Sequence, residues 1–306
     1  MAPKRKRSPS IVFLRHVRTG PAPFNTPGDF IIRTAQDTQY HVSFAILSFA
    51  SPYFRDLPRD LANPGDPFVL DVPESDATIE TLLRLTYPVA DPILQDIADL
   101  ADAYAAALKY QLTHAATSLQ HMLLLPRFLS REPVRVYAVA RRFGLADAAD
   151  TAADHACATA QAQWPICDEF ALAPGMAYQD LVLYHRRRAN AAAAILKNTD
   201  IFKNEKWCRK CAASWAARYT AHIAPLLAEA PMRDDVFSLE HVIDTPELTY
   251  CDTCTALIAK ATRPGGLIHR LKSEIRAVSF RAVEGSIFAL PVALTKSDNP
   301  IKPRAL

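Results

Sequence analysis

Glycine is scarce in this chain, with eight residues among 306. No Gly-rich phosphate loop, no Gly-x-Ser-x-Gly elbow and no His-Glu-x-x-His helix occurs. The phosphate cradle, the exposed nucleophile and the metal-bound water that those motifs supply are therefore missing. Charge of one sign is also lacking. Lys and Arg number 35 against 32 Asp and Glu, a formal net charge of +3, which is too small to make nucleic acid the main partner. No stretch approaches the ~20 apolar residues that a helix needs to span a bilayer, so no membrane contact is expected. Cysteine is missing from the first half; the six lie at 157, 167, 208, 211, 251 and 254. The basic N-terminus carries no apolar signal segment, so these cysteines read as reduced thiols or metal ligands rather than as a disulfide framework. The nine histidines are scattered, and most read as surface or core residues rather than as bases. The expectation is a protein that is not an enzyme.

What is present is a chain whose residues are 50% apolar, long enough for two domains with a good-sized core. Its most patterned stretch is residues 40–54. Tyr40, Val42 and their neighbours alternate as a short strand, and Ile46, Leu47 and Phe49 follow at helical spacing. Ser51 then suits a helix N-cap and Pro52 a first helical position, where its missing N–H has no consequence. Tyr53, Phe54 and Leu57 give that second short helix a buried face. The flanks continue the pattern. Asp29-Phe30-Ile31-Ile32 reads as a strand and Gln36-Asp37-Thr38-Gln39 as the hairpin after it. Phe68 to Val72 alternates as a further strand. Ile79, Leu82, Leu83 and Leu85-Thr86-Tyr87 form one helical pattern, and Ile97, Leu100, Ala101, Tyr104 and Leu108 fall on one face of another.

The order strand, helix, cap, Ser-Pro-Tyr-Phe, strand, helix resembles a BTB/POZ domain, over roughly a third of the chain. The resemblance implies an α+β fold for residues 28–125, a short β-sheet flanked by helices. It also implies pairing of two chains through the first helix and early strand, with Phe44, Phe49 and Tyr53 as candidates for the homodimer face; internal core is the other reading for all three. One departure is specific. Aligned on Leu47, the usual His falls at Ser43 and the usual basic residue at Phe44. Asp29 is retained without the basic partner that completes the charged corepressor pocket of repressor members.

Residues 1–27 read as a disordered basic leader, in which Lys4, Arg5, Lys6 and Arg7 after Pro3 resemble a nuclear import signal. The location expected is the nucleus, with the cytoplasm also open. Residues 126–200 read as all-helical. Pro133 opens a helix bearing Val134, Val136, Tyr137, Val139 and Ala140, closed at Gly144. That phrase resembles the BACK-like helical region that follows BTB domains in many adaptors. A later helix carries Tyr178, Leu181, Val182 and Tyr184 and is expected to end in solvent at Arg186, Arg187 and Arg188, where cations suit the C-terminal dipole; contact with phosphate or an acidic partner is the other reading.

In residues 201–285, Cys208-Arg209-Lys210-Cys211 and Cys251-Asp252-Thr253-Cys254 form two Cys-x2-Cys units. Two such pairs supply the four thiolates of one tetrahedral structural zinc. The 39 residues between them are about twice the usual zinc-ribbon spacing. Unmetallated packing and, less readily, redox chemistry at Trp207-Cys208 remain alternatives. Residues 286–306 read as a tail. The whole arrangement resembles fungal BTB proteins with a helical region carrying paired Cys-x2-Cys. It implies a protein–protein interaction scaffold, homodimeric and nuclear, with a role in transcription. The alternative is a substrate adaptor for a cullin ubiquitin ligase, although the Glu of the family's apolar-x-Glu step is replaced in Leu61-Ala62-Asn63. No Cys2His2 spacing occurs, so direct reading of DNA is not expected.

Overall fold

The computed structural model describes residues 17–58, 67–198, 212–243, 261 and 263–277. The chain divides after Leu125 into two compact units. The fold is mixed: a small sheet with helices in the first unit, and helices alone among the described residues of the second.

The sheet of the N-terminal unit contains β1 (Arg18–Thr19), β2 (Phe30–Arg33), β3 (Thr38–Val42) and β4 (Phe68–Asp71), in the order β1-β3-β2-β4. Phe30, Ile31 and Ile32 are all buried, so the central strand β2 is a continuous apolar run rather than an alternating one. It pairs antiparallel with β3, Phe30 opposite Val42 and Arg33 opposite Gln39. In the connecting turn Asp37 takes φ 58° and donates its N–H to the Thr34 carbonyl at 3.0 Å. Strand β3 alternates, with Thr38, Tyr40 and Val42 buried as the period of two requires.

Helices α1 (Phe44–Ala50), α2 (Pro52–Arg55), α3 (Asp76–Thr86), α4 (Ile97–Lys109) and α5 (Thr113–Leu123) complete this unit. Ser75 caps α3 by accepting the Thr78 N–H at 3.2 Å, and Asp96 caps α4 by accepting the Ala98 N–H at 2.7 Å. The expected face of α4 is buried at Ile97, Leu100, Ala101 and Tyr104. Leu108 is half exposed instead, in the last turn, and Tyr110 just past the helix end takes the inner position at 2% exposure.

The leader expected to be disordered to Pro27 is ordered from Arg18 onward. Strand β1 pairs parallel with β3. Phe24 is buried and meets Tyr87 edge-on at 5.4 Å, and its carbonyl accepts the His41 N–H at 2.9 Å. One buried aromatic and a strand pairing outweigh the Pro-rich composition that suggested disorder. Residues 1–16, with the basic run at Lys4 to Arg7, lie outside the described residues.

In the C-terminal unit α6 (Pro126–Leu129), α7 (Pro133–Arg142), α8 (Ala146–Ala156), α9 (Ala177–Lys197), α10 (Ala212–Glu229), α11 (Leu239–Ile243) and α12 (Leu267–Arg276) are joined by 3-10 turns at Gln161–Gln163, Asp168–Leu172 and Asp235–Phe237. Helix α7 opens at Pro133 and stops before Gly144, which has φ 69°, a left-handed conformation that favours glycine. Ala148, Ala149, Ala152, Ala153 and Ala156 form the buried side of α8, so α7 and α8 pack closely. One buried cluster joins Ala192 and Leu196 of α9, Trp215, Tyr219, Ile223 and Leu227 of α10, and Leu267, Ile268, Leu271 and Ile275 of α12. Among the described residues no helix is long and apolar enough to cross a membrane.

Gly28 tests how firmly the segment before β2 is packed. A Cβ at that position would lie 2.4 Å from the Val42 carbonyl oxygen, which is backbone and cannot step aside. Gly28→Ala is expected to destabilise the protein by about 1–3 kcal/mol, read as a lower urea midpoint with unchanged slope. An unchanged midpoint would mean that residues 20–28 are not held against β3.

Candidate functional site

The candidate site is the outer side of α1, and its placement follows from what holds the two ends of that helix. At the start, the Asp29 carboxylate accepts the Phe44 N–H at 2.9 Å. The Tyr87 hydroxyl accepts the Ser43 N–H at 2.8 Å and donates to the Ser43 carbonyl at 3.3 Å. These partners satisfy N-terminal donors that no side-chain cap from Ser43 reaches. Asp29 therefore meets the backbone amide of Phe44 rather than a basic side chain. At the other end Ser51, fully buried, accepts the Phe54 N–H at 3.3 Å and donates to the Tyr110 carbonyl at 2.5 Å. That hydroxyl caps α2 and ties the α1–α2 corner to the chain just beyond α4.

With both ends fixed, the sides of α1 are set. Leu47 is buried at 1% exposure, whereas Phe49 is 95% exposed and Ile46, one turn earlier, is 36% exposed. The three aromatic residues proposed for the dimer face thus separate. Phe44 is half-buried and packs its ring 5.7 Å from Phe30. Tyr53 is half-buried and meets Tyr110 edge-on at 5.2 Å and Phe54 at 5.3 Å. Both belong mainly to the internal aromatic network. Phe49 alone of the three offers its whole ring to solvent.

Below this face lies an apolar void of about 10 Å³, lined by Leu47, Phe54, Leu82 and their neighbours. It admits no organic ligand. The four cysteines proposed for zinc, Cys208, Cys211, Cys251 and Cys254, lie outside the described residues, as does Leu61-Ala62-Asn63. Among the described residues no group of three or more His, Cys, Asp or Glu is placed to hold a metal. Burial pushes the Cys157 thiol up to about 12; burial and then Glu169 push Cys167 up to about 11. Both remain neutral thiols at neutral pH, poor as nucleophiles and as metal ligands.

The second unit corrects the reading of the three arginines. Helix α9 does not end there, because Ala189 and Ala191 to Ala194 carry it on to Lys197. Arg186 and Arg187 are exposed, but Arg188 is buried at 2% exposure. Its guanidinium donates to the Tyr184 hydroxyl at 2.5 Å, to the Asp154 carboxylate at 2.7 Å and to the Ile275 carbonyl at 3.1 Å. It joins α9 to α8 and to α12. The spacing held this signal, since Arg188 follows Leu181 and Tyr184 on the buried side that continues to Ala192 and Leu196. His185 beside it is buried against Trp164 at 5.4 Å. Burial lowers the pKa of that imidazole.

The chain matches no known family model and no curated protein. The functional reading therefore rests on the geometry above and on the sequence pattern.

Arg188 and Arg187 form a sharp contrast. Arg188→Leu leaves the Asp154 and Tyr184 partners and the Ile275 carbonyl without their donor, a loss on the order of 3 kcal/mol for a broken buried pair. Asp154 is 40% exposed, so water recovers part of that loss. Arg187→Leu should stay within about 0.5 kcal/mol. Urea unfolding of the two variants checks this, and equal midpoints would return the arginines to a solvated surface.

Proposed function

We propose that the protein is an interaction scaffold that pairs with a second copy of itself through α1 of its N-terminal unit, in the manner of BTB/POZ domains. The observation that carries this is Phe49. A phenylalanine ring left fully in water on a helix with both ends anchored stands to gain about 1.5–3 kcal/mol when covered. A twofold contact covers two such rings at once. Ile46 and the short side chain of Ala45 lie beside it and allow close approach of a facing helix. The four-stranded sheet, the Ser51-Pro52 corner and the helices after β4 support the same family reading. The basic run Lys4 to Arg7 supports a nuclear setting, and the helices after residue 125 supply a separate body to which other proteins bind.

Phe49→Glu provides the test. In a twofold pair the substitution removes two apolar rings and brings two like charges together, which is strongly unfavourable away from water. Light scattering of the full chain at high micromolar concentration should give twice the chain mass for the unsubstituted protein. It should give a single chain mass for Phe49→Glu, with identical circular dichroism. A monomeric unsubstituted chain, or a Phe49→Glu protein that still pairs, would remove α1 as the self-association face.

A further inference from the structure

In the C-terminal unit α10 is fastened by two buried hydrogen bonds, one to α11 and one to the 3-10 turn Asp235–Phe237 just before it. Trp215 Nε1 donates to the Val242 carbonyl at 3.2 Å, and the Tyr219 hydroxyl donates to the Val236 carbonyl at 3.0 Å. The Trp215 and Tyr219 rings stack at 5.3 Å, and Val236 and Val242 are fully buried. His222 stands on α10 three residues after Tyr219, and His241 on α11 directly before Val242. The fastening therefore fixes where both imidazoles stand. It brings His222 Nε2 to 3.1 Å from His241 Nδ1, at the exposed side of the helix pair.

That separation matches the bite of a metal chelate. With metal–imidazole bonds of about 2.0–2.1 Å, nitrogens 3.1 Å apart subtend an angle of roughly 95–102°. This lies between the right angle of an octahedral site and the tetrahedral angle. Without a metal the two rings share a hydrogen bond at that distance; to bind one, the donor ring moves its proton to its other nitrogen, so that both lone pairs are free. The remaining nitrogen of His241 faces the Asp235 carboxylate at 3.9 Å, the side on which a metal-ligating histidine usually has its orienting acceptor. Asp235 is itself held by the Arg233 guanidinium, which leaves it an orienting group and not a ligand.

We propose that His222 and His241 form a site for a divalent transition-metal ion of the imidazole-preferring kind, nickel, zinc or copper. Its ligands are imidazoles and not the thiolates of the paired cysteines. Two protein nitrogens leave the other positions to water, so the ion exchanges readily and has open positions for an outside ligand.

The test uses the full, untagged chain, first filled with zinc and desalted so that any thiolate site is occupied, then titrated with Ni²⁺ by calorimetry. One Ni²⁺ per chain is expected. His222→Gln and His241→Gln should each weaken binding at least roughly tenfold, the least that loss of an orienting partner alone would give. His269→Gln, exposed on α12, should bind as the unsubstituted protein does. A second readout needs no variant: bound Ni²⁺ should shield His222 and His241, and not His269, from acylation by diethyl pyrocarbonate. Absence of nickel binding, unaltered binding in either Gln variant, or no shielding of the two histidines would overturn the proposal.

Discussion

The hydroxyl of Ser51 is the point on which the N-terminal unit turns. It is fully buried, caps α2 through Phe54 and bonds the Tyr110 carbonyl beyond α4. A buried hydroxyl without partners would be unfavourable by about 1–3 kcal/mol, so its two bonds fix one orientation of the α1–α2 corner. From that orientation the rest follows. Leu47 and Phe54 face inward, Tyr53 reaches Tyr110, and Phe49 is left on the outside. The face proposed for self-association is thus a consequence of how the corner is anchored, together with the Asp29 and Tyr87 bonds at the other end of α1.

In the C-terminal unit a buried cation has the corresponding role. Arg188 cannot discard its charge on burial, so it must find acceptors, and it finds them on three elements. The side chains of α8 and α9 and the last turn of α12 are thereby drawn to one point. The apolar cluster around Trp215, Tyr219 and Leu271 gives the cohesion, while the guanidinium gives the register. The same cluster sets the two histidines side by side, because Tyr219 lies one turn before His222 on α10 and Trp215 bonds the carbonyl of Val242, the residue after His241.

Much of this was legible in the residues. The Ser51-Pro52 corner, the hairpin around Asp37, the strand at 68–71, the face of α4 and the span of α7 from Pro133 to Gly144 each carry a local chemical signature. What escaped depended on partners distant in the chain. The acceptor role of Asp29 was hidden because its donor is the backbone of Phe44 and not a basic side chain. Phe44, Phe49 and Tyr53 look alike in sequence, and only the seating of α1 separates the exposed ring from the packed ones. Arg188 looked like part of a solvated basic run, although its spacing from Tyr184 placed it on the buried side. The order of residues 18–27 was missed because composition outweighed a single buried Phe24.

The central claim is that Phe49 is free in one chain and covered in a pair. Hydroxyl-radical footprinting across a dilution series addresses it directly, since Phe49 and Phe54 differ in exposure but not in intrinsic reactivity. Phe54 should be protected at every concentration. Phe49 should be protected in concentrated protein and become fully reactive on dilution, along the same curve as the loss of dimer mass. A Phe49 that reacts equally at all concentrations would contradict the account.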